Sequence, residues 1–142
     1  MADPISSTVP MLALTTYAIQ SVESLNETVD RFRGHNRALH SLHGELNYLC
    51  NVLSSFKEVA GRGSSLAATL ERPIDRCGQI CQEFKQTMLS FNKASRTSFQ
   101  DWAKLRFMRG DINEFVDTVS GYKSTIVIGI CTMVLYVSLL LS

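Results

Sequence analysis

Six apolar residues between positions 39 and 56 are separated by alternating steps of three and four, the spacing that places side chains along one face of an α-helix. They are Leu39, Leu42, Leu46, Leu49, Leu53 and Phe56. A seam with this spacing packs at a shallow angle against neighbouring helices. The pattern therefore predicts a long helix whose apolar face must be covered by other helices.

Three further segments have the same spacing of apolar residues. The predicted face of the first helix comprises Val9, Leu12, Thr16, Ile19, Val22, Leu25, Val29 and Phe32. The predicted face of the third comprises Leu66, Leu70, Ile74, Cys77, Cys81, Phe84, Met88 and Phe91. The predicted face of the fourth comprises Trp102, Leu105, Ile112, Phe115, Val119, Tyr122 and Ile126. Since no strand pattern of comparable length competes, we expect four long helices.

Capping residues, prolines and glycines set the predicted ends of the first two helices. Asp3 and Pro4 favour a helix start at that point, and Pro10 either bends the first helix or moves its start to about residue 8. Two glycines and two serines in the stretch Gly61–Ser65 favour an open backbone. This stretch predicts the loop that divides the chain into two hairpins.

The third and fourth helices have signals of their own. Pro73 is expected to bend the third helix or to mark its restart. The stretch 92–97 is expected to end it, after which Ser98 is a suitable cap for the fourth helix. Gly110 lies inside the fourth pattern and costs about 1 kcal/mol relative to alanine, so we expect a kink or a short break there.

These patterns predict an all-α fold, a helical bundle of four main long helices whose last helix runs into an apolar C-terminal segment. The chain has 142 residues, and a domain of this size buries roughly two thirds of the surface that its unfolded chain exposes. We therefore assign residues 1–125 to a helical bundle and residues 126–142 to an apolar tail.

The apolar tail follows the last charged residue of the sequence, Lys123. The 19 residues after it carry no charge and include ten Ile, Val or Leu residues. As a helix they would extend about 28 Å, close to the roughly 30 Å of hydrocarbon in a bilayer. Several hydroxyl residues and Gly129 dilute this apolar run, so its length is only marginal for a membrane span.

Three interpretations of the tail remain open. The first is a membrane segment, for which the candidate lipid contacts are Ile126, Ile130, Val134, Leu135, Leu139 and Leu140. The second is a buried central helix, because Ile126 and Ile130 continue the fourth apolar face. The third is an exposed tail that forms oligomers or results from a truncated gene product.

Charge and the N-terminal sequence exclude several classes of function. The formal net charge is +1, which gives no broad field for nucleic acid, so no nucleic-acid partner is expected. The N-terminus lacks the basic region of a secretory signal. We expect a cytoplasmic chain with reduced cysteines, membrane-associated only if its C-terminal segment acts as an anchor.

The histidines and cysteines of the chain include one candidate metal site. His40, His43, Cys77 and Cys81 have the ligand types and pair spacings of a tetrahedral zinc site. However, Cys77 and Cys81 lie on the third apolar face, where free cysteine acts as a small core hydrophobe. We therefore expect no metal, no cofactor, no small-molecule substrate and no catalytic residues.

A cluster of basic residues around the fourth helix is a candidate site for contact with anionic lipid headgroups. It comprises Lys93, Arg96, Lys104, Arg106 and Arg109.

Residues in the C-terminal half resemble a known family. The positions that carry the resemblance are Asp101, Trp102, Leu105, Gly110, Asp111, Ile112, Phe115, Gly121, Tyr122 and Lys123. The opening Met1–Ile5 and the stretch Phe32–Arg37 add to it. The chain is similar to the fungal N-terminal domain named for azaphilone pigment biosynthesis cluster protein L, from Met1 to about Ile130. After that point the apolar stretch Cys131–Ser142 is expected to depart from the family.

The resemblance implies a non-enzymatic helical bundle that precedes ankyrin repeats or nucleotide-binding domains and acts in signalling or self-association. A weaker similarity to HeLo-type bundles implies an alternative, a membrane-disrupting cell-death domain. Membrane-active relatives rely on a first helix rich in small residues, whereas the equivalent stretch here contains Pro10, Met11 and Tyr17. The leading hypothesis is thus an interaction module whose partner is a protein or a second copy of the chain, with a membrane as a further candidate through the tail.

Overall fold

The computed structural model describes residues 4–32, 37–61, 65–94 and 111–141. These residues form four α-helices, α1 (Pro4–Phe32), α2 (Arg37–Ala60), α3 (Glu71–Ala94) and α4 (Asp111–Leu141), and a short 3₁₀ helix (Ser65–Leu70) that leads into α3. No strand occurs within the described ranges. The prediction of an all-α fold with four long helices is confirmed.

Helix α1 lies between α2 and α3 and contacts both. On one side, Asn26 Nδ2 donates a hydrogen bond to Asn47 Oδ1 at 2.7 Å, while the Cys50 thiol lies 3.6 Å from a Glu23 carboxylate oxygen. Residue numbers rise on one helix as they fall on the other, so α1 and α2 are antiparallel.

Helix α3 lies on the other side of α1 and runs parallel to it. Gly78 of α3 lies against Ala18, and the Gln82 side chain donates a hydrogen bond to the Ser21 hydroxyl at 3.3 Å. Since both pairs rise in number together, α2 and α3 flank α1 in opposite directions. The chain therefore alternates direction along its first three helices.

Helix α4 completes the alternation and lies mainly against α2. Its Lys123 side chain contacts Glu45 of α2 at 3.0 Å. Its Phe115 ring stacks on Phe84 of α3, with ring centroids 4.1 Å apart. Farther along α4, Gly129 meets Leu70 of the 3₁₀ helix, so α4 is antiparallel to α3. The four helices form an up-down-up-down bundle.

The predicted seam of α2 is confirmed. All six of its residues have no exposed surface, and the buried residues of α2 are Leu39, Leu42, Leu46, Leu49, Val52, Leu53, Phe56 and Ala60. Helix α2 can bury this face because α1 and α4 cover it from two sides. Burial of each large apolar side chain contributes roughly 1.5–3 kcal/mol, so this seam is the main apolar element of the core.

The buried face of α1 differs from the predicted one in its first half. The buried residues are Met11, Thr15, Ala18, Ser21, Val22, Leu25, Thr28 and Val29, whereas the predicted Leu12, Thr16 and Ile19 are only partly buried. The reason is the close approach of α3. A Cβ atom added to Gly78 would lie 3.3 Å from the Ala18 Cα atom and from the Tyr17 ring, so small side chains are favoured on this face.

The predicted ends of the helices are largely reproduced. Helix α1 begins at Pro4 and continues through Pro10, so the alternative start near residue 8 is wrong. Helix α2 ends at Ala60, where the Gly61 N–H donates to the Lys57 carbonyl at 3.1 Å. The chain then changes from 3₁₀ to α geometry two residues before Pro73, in keeping with the predicted restart. The predicted cap Ser98 and the break at Gly110 lie outside the described residues.

Helix α4 is a single helix across the predicted boundary between residues 125 and 126. Four of its residues, each seven positions from the next, are buried: Ile112, Val119, Ile126 and Met133. A repeat of seven keeps one face of a helix toward its neighbours over several turns. The division into a bundle and a tail therefore does not coincide with a break in secondary structure, and it stays a prediction.

Two glycines of α4 differ in how closely their backbone approaches neighbouring residues. A Cβ atom on Gly129 would lie 3.0 Å from Cγ and Cδ2 of Leu70, and closer still to Cδ1, whereas a Cβ atom on Gly121 would meet nothing within 4 Å. We expect Gly121→Ala to raise the free energy of unfolding by up to about 1 kcal/mol through helix propensity. For Gly129→Ala we expect the same gain in helix propensity to be offset by overpacking against Leu70, which costs about 1–3 kcal/mol.

Urea unfolding followed by circular dichroism measures both variants. Because the two substitutions are chemically identical and lie on one helix, the difference between them isolates the contact with Leu70. Equal stabilities would contradict the close seating of α4 on the 3₁₀ helix.

Candidate functional site

The most unusual surface of the described structure is the end of α4. Met133 is 1 % exposed, but beyond it the side chains are open: Leu135 is 63 %, Leu139 74 % and Leu141 83 % exposed. We call the stretch Val134–Leu141 the tail segment. Every residue of the tail segment is exposed, and seven of its eight residues are apolar. The interpretation of the tail as a buried central helix therefore fails beyond Met133, and before it only one face of the helix is covered, since Ile126 is buried but Ile128 is 67 % exposed.

One helix among the described residues is long and apolar enough to cross a membrane, by length and composition alone. It is the stretch Ile112–Leu141 of α4. Core helices of soluble proteins meet the same criteria, but they are mostly buried. Here only 11 % of the most apolar 18-residue window is buried within the chain.

The six candidate lipid contacts fall into two groups. Ile126 is fully buried and Ile130 is partly buried against the bundle. The other four are exposed, and they are Val134, Leu135, Leu139 and Leu140. Before these four, Val127 and Ile128 are 37 % and 67 % exposed, but an unbroken run of exposed residues begins only at Val134, eight residues after the start of the predicted tail.

An ion pair holds α4 to α2 just before the uncharged stretch. The Lys123 ammonium lies 3.0 Å from Glu45 Oε2, and both side chains are mostly buried. The same ammonium lies 4.6 Å from the centroid of the Tyr48 ring, within the range of a cation–π contact. The last charged side chain of the sequence is thus held by α2.

A double-mutant cycle on Glu45→Gln and Lys123→Gln measures this contact. We expect each single substitution to lower the free energy of unfolding by about 1 kcal/mol, since a partly buried charge loses its partner. The coupling energy should be about 0.5–1 kcal/mol and should fall in high salt. Strictly additive effects would show that the pair does not hold α4.

A groove of about 420 Å³ lies between α2 and α4, next to the ion pair. Its walls are Tyr48, Asn51, Val52 and Ser55 from α2, and Val127, Ile130 and Cys131 from α4. Polar side chains come only from α2, whereas α4 contributes two aliphatic residues and a thiol. No convergent set of charged or nucleophilic groups lines this groove.

The family-motif positions are only partly covered by the described residues. Asp101, Trp102, Leu105 and Gly110 lie outside them, and Asp111 is described only as the first residue of α4. Ile112 is buried, Phe115 and Tyr122 are partly buried, and Gly121 is exposed. The described motif residues therefore serve mainly to seat α4 on the bundle. The basic cluster from Lys93 to Arg109 also falls outside the described side chains.

The structure does not bring the candidate zinc ligands together. His40 is exposed on α2, while Cys77 and Cys81 are buried in α3, on the far side of α1. Among the described residues, no group of three or more His, Cys, Asp or Glu side chains is close enough to hold a metal ion. A hydrogen bond with Cys77, together with burial, raises the pKa of Cys81 and disfavours its thiolate.

His43 takes part in a polar cluster that the apolar patterns did not reveal. Its Nδ1 atom lies 2.7 Å from Asn26 Oδ1, and its Nε2 atom lies 3.4 Å from Asn47 Nδ2. The hydrogen bond between Asn26 and Asn47 closes the triangle. If His43 carries its proton on Nδ1, all three contacts have a donor and an acceptor. The cluster fixes the register of α1 on α2.

Cys50 provides a test of the same interface. Burial, the Glu23 charge and a hydrogen bond to Glu23 raise the pKa of Cys50 from 9.0 to about 11. Because the folded pKa lies above the unfolded one, the stability from the neutral thiol is complete below about pH 9 and is lost as the pH rises towards 11.

We expect alkylation of Cys50 to be slow near neutral pH and to accelerate towards pH 11. Glu23→Gln should accelerate it at about pH 9 by lowering the pKa of the thiol. Mass spectrometry of the folded chain after iodoacetamide treatment reports each cysteine separately. An unchanged rate in Glu23→Gln would exclude the carboxylate as a cause.

Comparison with known proteins identifies one family. A family model described as the N-terminal domain of pigment biosynthesis cluster protein PigL matches residues 2–140. Searches of curated proteins and of solved structures found no match. The matched region extends past the predicted limit near Ile130 and includes nearly all of the tail segment. The expectation that Cys131–Ser142 departs from the family is therefore not supported.

Proposed function

We propose, from the premise that this chain belongs to the family of pigment biosynthesis cluster protein PigL N-terminal domains, that it is a non-enzymatic helical module attached to membranes by its tail segment. The bundle would then present its remaining surface to a protein partner. The observation that carries the membrane attachment is the exposure of apolar side chains around the whole tail segment.

The distribution of these side chains favours lipid over a single protein partner. Eight consecutive residues make more than two helical turns, so their side chains point in every direction around the axis. A helix that docks on one protein surface needs an apolar stripe on one side only. Lipid surrounds a helix, and apolar residues on all sides are suited to it. An exposed apolar surface of this kind is costly in water.

The polar groups of the core support a non-enzymatic role. Within the described residues, the buried polar side chains are Thr15, Ser21 and Thr28. Each donates its hydroxyl hydrogen to a carbonyl of α1 four residues earlier, at 2.7, 2.9 and 3.1 Å respectively. These hydroxyl groups are satisfied by carbonyls of α1, and Ser21 also accepts a hydrogen bond from Gln82, so they have the structural role that is typical of core hydroxyl groups.

Co-sedimentation of the full chain with phosphatidylcholine vesicles tests the attachment. We expect the chain to bind, and the double variant Leu135→Lys with Leu139→Lys to bind at least about tenfold more weakly, because lysine is unfavourable in hydrocarbon. Both positions are exposed, so the bundle should keep its helicity. A chain cut after Lys123 is a poorer test, since it would also remove the buried Ile126 and Met133.

The matched control places the same charges elsewhere on α4. Asn113 and Thr118 are exposed near the start of the helix, so Asn113→Lys with Thr118→Lys should leave vesicle binding unchanged. Failure of the unaltered chain to sediment with vesicles would refute the membrane attachment. Release of a trapped dye on binding would instead favour the membrane-disrupting alternative.

A further inference from the structure

We infer that the tail segment enters only one leaflet of the membrane, while the rest of α4 stays packed in the bundle and Cys131 remains in water. This inference rests on the proposed membrane attachment and adds its depth and topology. It departs from the predicted membrane span, in which the entire uncharged stretch after Lys123 would cross the bilayer.

The free length of α4 matches one leaflet. The tail segment has eight residues and therefore extends about 12 Å at roughly 1.5 Å per residue. One leaflet contributes about half of the roughly 30 Å hydrocarbon thickness. The eight residues of the segment thus reach through most of one leaflet while the bundle is intact.

Several residues needed for a full span are packed in the bundle. A span would have to begin near Ser124 and would take Ile126 and Met133, which are 0 % and 1 % exposed, out of the core. A span would also separate Gly129 from Leu70. These two residues are in such close contact that a Cβ atom on Gly129 would overlap the Leu70 side chain. Exchange of these contacts for lipid would cover the exposed Val127 and Ile128, but it would uncover the apolar neighbours of Ile126 and Met133 in the bundle.

The partner helix cannot accompany α4 into hydrocarbon. The part of α2 beside the groove exposes Asn51 and Ser55, and the following turn exposes Lys57 and Glu58. Charged and amide side chains are costly in the bilayer interior. Docking of α2 on α4 therefore sets a limit on insertion, since α2 accompanies α4 at least as far as Ser55 and Cys131, which line the same groove.

Cys131 lies just before this limit and reports on it. Its side chain is exposed at the edge of the groove, whereas Cys77 and Cys81 are buried and Cys50 is partly buried. A second reporter is obtained with Leu139→Cys, at a position that is 74 % exposed. The two thiols would then lie on either side of the proposed membrane boundary.

The experiment treats the full chain and its Leu139→Cys variant with a membrane-impermeant maleimide, with and without phosphatidylcholine vesicles. Labelling is measured at each cysteine by mass spectrometry. On vesicles we expect Cys131 to react within about twofold of its rate in solution, and the thiol at position 139 to be protected at least about tenfold, because reaction requires access to water. A Cys131→Ser chain serves as the control for site assignment.

Each other outcome overturns the inference in a distinguishable way. Protection of both thiols on vesicles would show that α4 leaves the bundle and inserts more deeply, although the membrane attachment would stand. Protection of the thiol at position 139 without vesicles would show that the chains cover each other's tail segments. Reactivity of both thiols in a sample that does not sediment with vesicles would refute the proposed function itself.

Discussion

The packing of α4 depends on a repeat of seven residues that keeps one side chain per two turns in the core. Ile112, Val119, Ile126 and Met133 are all buried, and together they hold the helix to the bundle as far as Met133. Gly129 permits the closest approach, since any side chain there would meet Leu70. The tail segment, in contrast, contains no buried residue. Helix α4 therefore buries one face in the bundle as far as Met133 and exposes apolar side chains on every side beyond it.

The first helix has a different but equally central role. Because α1 lies between α2 and α3, it must satisfy two neighbours at once. Toward α3 it presents small residues such as Ala18, against which Gly78 can pack closely. Toward α2 it presents the amide of Asn26, which joins His43 and Asn47 in a closed set of hydrogen bonds. Apolar burial alone would allow α1 to slide, but these polar contacts have only one register that satisfies them.

The packing of α4 also fixes the position of the tail segment relative to the bundle. Lys123, held between Glu45 and the Tyr48 ring, ties α4 to α2 before the uncharged stretch begins. Because α4 is continuous from Asp111 to Leu141, no flexible linker separates the bundle from the tail segment. If the tail segment enters a membrane, the bundle is held at the surface in a defined orientation, as a module that presents one face to a partner would require.

Four helices, the face of α2 and the family were predictable from the sequence, because helical periodicity and motif order are properties of short stretches of chain. The uncharged C-terminal stretch was also evident, since charge and hydropathy are properties of the individual residues and do not depend on the fold. The buried face of α1, the groove and the limit of burial at Met133 were not predictable. They depend on residues distant in sequence, such as Gly78 beside Ala18 and Leu70 beside Gly129. Only the tertiary structure decides which part of an apolar helix is covered, because coverage is supplied by other helices and not by the helix itself.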